Sequence, residues 1–276
     1  MGKDGIGLYE KAMPGTLTAE QKLLLTRECG FDSMEISIDE TPEKLGRIFS
    51  PRETAAIGAA VRSTGVPIRS MCLSGHRRYP LGEEDPHGME IMTAAIDFAG
   101  ELGIRIIQLA GYDTYYHDST PKTRARFAEN LRKSVDYAAK SGVLLAFETM
   151  ETDFMNTCAK AMVYVEQMHS PYLQVYPDLG NVRNATDDYL GDLQCAAGHI
   201  AAVHLKETVA GRYRDMEYGQ GRVDFAGCIR ALQQMGVHRY TCEFWYDGRT
   251  EPKEYILRNK RYIDRIFQEI ADEKQL

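Results

Sequence analysis

The chain predicts a single closed (β/α)8 barrel, the TIM-barrel architecture of the α/β class, over all of residues 1–276. Three observations predict it. Short β-rich runs alternate with longer amphipathic stretches from end to end, and eight such pairs follow in order. Most of the runs are too continuously apolar for a sheet wetted on one face, which marks parallel strands covered by helices. No Ser/Gly-rich or Pro-rich linker and no low-complexity segment interrupts the series. The rival architecture, an open doubly wound sheet, carries a glycine-rich phosphate turn after its first strand. That position here reads Glu10-Lys11-Ala12-Met13-Pro14-Gly15, without G-x-G-x-x-G.

The strands are expected at 6–13, 33–38, 68–73, 104–110, 143–149, 173–176, 200–205 and 240–245. After the first, residues 17–29 place Leu23, Leu24, Leu25 and Cys29 among polar neighbours, with Thr18 and Glu20 at the start and Gly30 at the stop. Ser50-Pro51 opens the helix behind the second strand, and Gly65 closes it. Gly103 precedes the fourth strand. Thr120-Pro121 begins a stretch in which Leu131, Val135 and Ala138 recur at helical spacing, and Gly142 ends it. Gly236 falls just before the eighth strand. The last helix, 255–271, sets Ile256, Tyr262, Ile263, Ile266, Phe267 and Ile270 along one face, to seal the barrel wall and to serve a homo-oligomer contact.

Composition narrows the function. With 33 Lys+Arg against 40 Asp+Glu, the net charge is −7. Nonspecific nucleic-acid affinity comes from clustered cations releasing counterions, so a general polyanion binder is excluded while a local pocket for one phosphate is allowed. No window reaches about 18 apolar residues, and residues 1–7 lack a leader-like apolar core, so a cytoplasmic protein without a membrane partner is expected. The six cysteines, Cys29, Cys72, Cys158, Cys195, Cys228 and Cys242, form no C-x-x-C pair and read as reduced core residues.

Barrel chemistry sits at the carboxyl ends of the strands. Four of those ends carry residues a packed core does not tolerate alone: Glu148 after Val143-Leu-Leu-Ala-Phe, Asp178 after Val175-Tyr-Pro, His204 after Ala201-Ala-Val, and Glu243 before Phe244-Trp245. One acidic residue at a strand end is ordinarily a solvated residue or a helix cap. Four on consecutive strands converge on one point, where three carboxylates repel unless a cation joins them. The set favours one divalent metal ion, Mn2+, Zn2+, Co2+ or Mg2+, acting as a Lewis acid on a carbonyl or hydroxyl oxygen.

Several runs bear a resemblance in order along nearly the whole chain: Gly7-Leu-Tyr-Glu-Lys-Ala, Phe31-Asp-Ser-Met-Glu-Ile-Ser-Ile-Asp-Glu, Ser74-Gly-His-Arg-Arg-Tyr-Pro-Leu-Gly, Gln108-Leu-Ala-Gly-Tyr-Asp, Tyr176-Pro-Asp-Leu-Gly-Asn, Val203-His-Leu-Lys and Gly219-Gln-Gly-Arg-Val-Asp-Phe. With these the sequence resembles the sugar isomerase and epimerase branch of the barrel group that contains xylose isomerases and endonuclease IV, and within it the L-ribulose-5-phosphate (L-xylulose-5-phosphate) 3-epimerases. The resemblance implies that Glu148, Asp178, His204 and Glu243 bind one divalent metal and that Glu148 and Glu243 are the catalytic proton-transfer pair. The chemistry accounts for two glutamates. The C3 proton of a 2-ketose is acidic because its carbanion delocalises onto the C2 carbonyl, and inversion needs one carboxylate to remove it and another, on the opposite face, to return one.

The remaining positions carry two readings each. Asn181 is either a substrate contact, as in related epimerases, or an αL turn residue after Gly180. Glu35 either lines the pocket or forms an exposed ion pair. His76, Arg78, Lys206 and Lys11 are candidate substrate-binding residues at the barrel mouth, where cations suit a phosphate ester; the alternative is a solvated basic rim. Arg212 and Arg214 lie on a lid after strand seven, with Gly211, Gly219 and Gly221 permitting movement. Tyr9, Tyr112, Phe244 and Trp245 are either apolar walls for a sugar or core aromatics. The four ligands do not separate a ketose phosphate from a free ketose such as tagatose or psicose, although residues 74–82 are more similar to the phosphate-using subgroup. An aldose-ketose isomerase or a dehydratase starts from the same enediolate. A noncatalytic sugar-binding barrel leaves the paired glutamates without a reason. A multi-metal phosphodiester hydrolase needs more than seven histidines' worth of scattered ligands and a basic face.

Overall fold

A computed structural model describes residues 5–274. Its eight strands are β1 (Gly5–Tyr9), β2 (Ser33–Ile38), β3 (Ile68–Leu73), β4 (Ile106–Ala110), β5 (Leu144–Glu148), β6 (Leu173–Tyr176), β7 (Val203–Leu205) and β8 (Arg239–Cys242). They form one parallel sheet in the order β6-β5-β4-β3-β2-β1-β8-β7. Bridges Val175↔Ile200 and Asp178↔His204 join β6 to β7, so the sheet closes. The expected (β/α)8 barrel is the architecture found.

Helices cover the outside: α1 (Ala19–Glu28), α2 (Pro42–Gly46), α3 (Pro51–Thr64), α4 (His87–Leu102), α5 (Pro121–Ser141), α6 (Cys158–Met168), α7 (Leu179–Ala185), α8 (Tyr189–Cys195), α9 (Phe225–Gln234) and α10 (Pro252–Glu273). Their punctuation follows local chemistry. Gly30, Gly65, Gly103, Gly142 and Gly236 all have positive φ, as a left-handed helix stop requires. Ser50 and Thr120 cap α3 and α5 with their hydroxyls. At α1 the capping box pairs Thr18 with Gln21, not Glu20, because the reciprocal bond needs a side chain three residues on.

Strand ends differ from the sequence expectation where side chains capture the backbone. β1 stops at Tyr9, not residue 13, because Glu10–Ala12 turn into a short 3-10 helix. The Glu10 carboxylate there accepts the Ser37 amide at 2.9 Å and the Lys22 ammonium at 2.7 Å. β7 is three residues long, with Ile200 reduced to an isolated bridge. β8 ends at Cys242, three residues before the expected end. Five cysteines are buried as expected, whereas Cys195, at the end of the short α8, is exposed.

Side chains alternate across each strand, and the two faces carry different chemistry. Met34, Ile36 and Ile38 of β2 join the large apolar core between sheet and helices. Their neighbours Ser33, Glu35 and Ser37 are also buried but point into the barrel. The barrel interior is therefore polar near its middle, with Glu35, Ser70, Gln108, Tyr176, His204 and Thr241 all buried. No helix among the described residues is long and apolar enough to cross a membrane.

Candidate active site and metal centre

Four elements at the carboxyl end of the barrel deliver the predicted ligands. Glu148 is the last residue of β5, and His204 is the middle residue of β7. Asp178 caps α7, and Glu243 follows β8 with its amide donating to Leu205 O at 2.8 Å. The bridge between Asp178 and His204 fixes those two in register. One ligand atom from each of the four lies within 4.8 Å of all the others, and every one of the four is 5% exposed or less.

The donor geometry fits a cation. His204 Nε2 faces Glu35 Oε1 at 2.6 Å, while Nδ1 faces Glu148 Oε1 at 2.8 Å and Glu243 Oε2 at 3.1 Å. A neutral imidazole has a single N–H. With that proton directed to Glu35, the Nδ1 lone pair points at two carboxylates, an arrangement that a positive ion between them satisfies. Glu243 Oε2 is buried and accepts no hydrogen bond, whereas Asp178 Oδ2 is held by the Lys206 ammonium. Three carboxylate oxygens and one imidazole nitrogen suit a hard or borderline divalent ion.

Electrostatics separate the two glutamates. Burial pushes Glu148 up, with His204 opposing and the Glu243 charge adding to the rise. Glu243 is held well below the usual carboxylate range: burial opposes this, but Lys206 and His204 outweigh it. Burial opposes charge on His204, yet Glu35, Glu243 and Glu148 lift it well above its ordinary value, so a cation that takes the Nδ1 position displaces a proton there and leaves the one shared with Glu35. Gln108 Nε2 donates to Glu148 Oε2 at 2.5 Å and so orients that carboxylate.

Above the cluster opens a cavity of about 400 Å³. Lys11 and Lys206 line it, the first paired with Asp39 at 2.7 Å. Asn181 lines it too, and it is not a left-handed turn residue but part of α7, its Nδ2 donating to Thr149 O at 2.7 Å and its Oδ1 buried without a partner. Two predicted substrate residues lie elsewhere. His76 is buried against Gly88 O at 3.1 Å, outside the cavity lining, and burial lowers its pKa to about 4. Arg78 is exposed and lies over the Tyr79 ring at 5.6 Å. The chain after β3 coils into a 3-10 turn, Ser74–Arg77, which rotates both away and sends Arg77 inward instead.

Glu35 is not in an exposed ion pair. It is 1% exposed, and its Oε2 accepts Ser70 Oγ at 2.6 Å and Tyr176 Oη at 2.8 Å. Of the four aromatic candidates, Tyr9 and Trp245 line the cavity edge to face, whereas Tyr112 and Phe244 are buried outside that lining. Sequence reasoning included Arg77 only within the basic run His76-Arg77-Arg78-Tyr79, and it missed Tyr115, Glu151 and Gln108. Gln108 had a signal, a lone amide in an apolar strand; Tyr115 and Glu151 lie on irregular turns.

Comparison with known proteins follows the same lines. The model of the xylose isomerase-like TIM barrel family matches residues 23–266. The L-ribulose-5-phosphate 3-epimerase UlaE of Salmonella heidelberg (strain SL476) is 42% identical over 264 residues, covering 94% of this chain and 93% of that protein. Among solved structures, an L-ribulose 3-epimerase superposes with a TM-score of 0.81 at 20% identity, covering 98% of this chain and 96% of the other. A D-allulose 3-epimerase from Methylomonas sp. gives 0.78 at 18% identity, covering 96% and 99%.

Proposed function

Since the chain belongs to the xylose isomerase-like TIM barrel family, and within it to the relatives of L-ribulose-5-phosphate 3-epimerase, we propose that it interconverts L-ribulose 5-phosphate and L-xylulose 5-phosphate by inverting C3. The observation that carries this reading is the pair of buried glutamates, Glu148 and Glu243, that approach one His204 nitrogen from β5 and from the end of β8. Two carboxylates entering from different strands can address two faces of one carbon.

Glu148, Asp178, His204 and Glu243 would hold one divalent ion, Mn2+, Zn2+, Co2+ or Mg2+. Such an ion, when bound, supplies positive charge where negative charge develops on the C2 oxygen. The chain's own groups do the rest. One glutamate takes the C3 proton as a base, the other returns a proton as an acid, and the direction of reaction decides which does which. Lys206, beside Asp178 and 3.8 Å from Glu243 Oε2, favours the charged form of both; it helps hold Glu243 low, while burial still pushes Asp178 well above the usual carboxylate range. Tyr9 and Trp245 give the sugar an apolar wall, and Asn181 Oδ1 offers an unused acceptor to a hydroxyl. The reduced, mostly buried cysteines suit a cytoplasmic setting.

The test is incubation with L-ribulose 5-phosphate followed by separation of the sugar phosphates. L-Xylulose 5-phosphate is the expected product. An aldose phosphate would move the reading to an aldose-ketose isomerase, and turnover of free ketoses alone would discard the phosphate.

A further inference from the structure

Cys158 is the first residue of α6, behind its cap Thr157, and Cys195 is the last residue of α8. The two helices pack against each other, and Asp192 joins them there. Its carboxylate sits on the N-terminus of α6, where Oδ2 accepts the Cys158 amide at 2.7 Å and Oδ1 accepts the Ala159 amide at 3.1 Å. Its carbonyl oxygen faces Cys195 Sγ at 2.9 Å. One aspartate therefore holds Cys158 with its side chain and Cys195 with its backbone, and the two sulfurs flank the same residue.

The two thiols differ in what can reach them. Cys195 is exposed, whereas Cys158 is fully buried. Burial, the Asp192 charge, a charge on Cys195 and hydrogen bonding to Asp192 all push the Cys158 thiol well above its usual range, so the two sulfurs are within electrostatic reach of each other. Burial, Asp192 and Glu166 push Cys195 up as well. A helix N-terminus ordinarily activates a thiol, but here a carboxylate occupies it, so both cysteines rest as thiols at neutral pH. An exposed thiol meets an oxidant from solution; a buried one beside it meets only its neighbour.

We infer that Cys195 and Cys158 form a peroxide-responsive pair, in which exposed Cys195 is oxidised and buried Cys158 resolves it into a disulfide between α8 and α6. The inference stands apart from the sugar chemistry. In the first step Cys195 Sγ attacks one oxygen of hydrogen peroxide; an S–O bond forms, the O–O bond breaks, and water leaves with the thiol proton, which gives a sulfenic acid. Cys158 Sγ then attacks Cys195 Sγ while the Asp192 carboxylate takes its proton. The S–S bond forms, the S–O bond breaks, and the departing hydroxide collects that proton as a second water. Two thiols lose two electrons in all, and the peroxide is reduced to two waters. The bond would bracket residues 158–195, the segment that brings Asp178 and Asn181 to the site, and would limit how far that segment opens.

The test is exposure of the folded chain to hydrogen peroxide, alkylation of the remaining thiols under denaturing conditions, and peptide mass mapping. Alkylation should be lost at Cys158 and Cys195 together, with their peptides joined by a bond that dithiothreitol reverses, while Cys29, Cys72, Cys228 and Cys242 stay alkylated. Cys195→Ser should form no bond and leave Cys158 alkylated. Cys158→Ala should stop at a sulfenic acid on Cys195, trapped by dimedone; if that variant does not fold by circular dichroism, the maps of the unsubstituted protein and of Cys195→Ser decide. Oxidation of Cys195 to the sulfinic acid with Cys158 still alkylated, a bond from Cys195 to a second copy of the chain, or loss of Cys158 alkylation in Cys195→Ser overturns the inference.

Discussion

Glu35 should govern how tightly the four-ligand cluster holds its metal, although it touches no metal position. It is almost fully buried and accepts His204 Nε2 at 2.6 Å, which commits the imidazole proton to that side and frees Nδ1 to face the other ligands. Two substitutions separate charge from contact. In Glu35→Gln the amide oxygen can still accept from His204, and its NH2 can donate to Ser70 and Tyr176, whose hydroxyls accept as well as donate. What is lost is the charge on the acceptor, about 1–1.5 kcal/mol from the difference between charged and neutral hydrogen bonds, or roughly 5- to 12-fold in metal affinity. Glu35→Ala removes the bond and strands a buried N–H, about 2–3 kcal/mol or roughly 30- to 150-fold. Competition of Mn2+ between the protein and a chelating dye measures both. Affinities within twofold of the unsubstituted protein in folded Glu35→Ala, or a larger loss in Gln than in Ala, would refute the reasoning.

Three further outcomes follow. Glu148→Gln and Glu243→Gln should each lower kcat by about 10²- to 10⁴-fold, and in EDTA Glu148→Gln should not melt below the unsubstituted protein, since it removes a carboxyl that burial and the Glu243 charge both push up; steady-state rates and a thermal melt check this. Acid should destabilise the protein in two stages. Burial holds His76 at about 4, below its ordinary 6.5, so stability is complete above 6.5 and is lost as pH falls toward 4. Glu10 is held at about 2 by Lys44, Arg47 and Lys22 against the effect of burial, so its contribution is complete above 4.5 and is lost toward 2. Each stage is worth about 3 kcal/mol, and denaturant midpoints that stay flat from pH 7 to below pH 3 would contradict it. Gly82→Ala should cost about 1–3 kcal/mol by overpacking, because a Cβ there would sit 2.2 Å from Asp113 O; an unchanged melting temperature would contradict it.

The barrel was legible because helix stops and covered strands are local features: five glycines and eight apolar runs mark them. The four-ligand cluster was legible because each member follows an apolar run and shares the inward parity of its strand. That parity reaches further than the ligands. Tyr9 and Lys11, Cys72 and Ser74, Glu148 and Met150, and Glu243 and Trp245 are spaced by two, and all eight line the cavity. It also places Glu35 inside, since Ser33, Glu35 and Ser37 alternate with Met34, Ile36 and Ile38. Parity fails once the chain leaves the strand. His76 and Arg78 kept the even spacing of Ser74, but the 3-10 turn at Ser74–Arg77 changed the period, and Arg77 entered the cavity in their place. The rim residues Tyr115 and Glu151 sit on irregular turns, where position depends on contacts distant in sequence.

The central claim is that the chain moves the proton at C3, using glutamates gathered around a metal. Proton NMR of L-ribulose 5-phosphate in D2O, with and without EDTA, tests it most directly. The account predicts loss of the C3 proton signal together with the appearance of L-xylulose 5-phosphate, both abolished by EDTA and restored by a divalent ion. Retention of the C3 proton in metal-loaded protein, or exchange undiminished after the metal is removed, would contradict it.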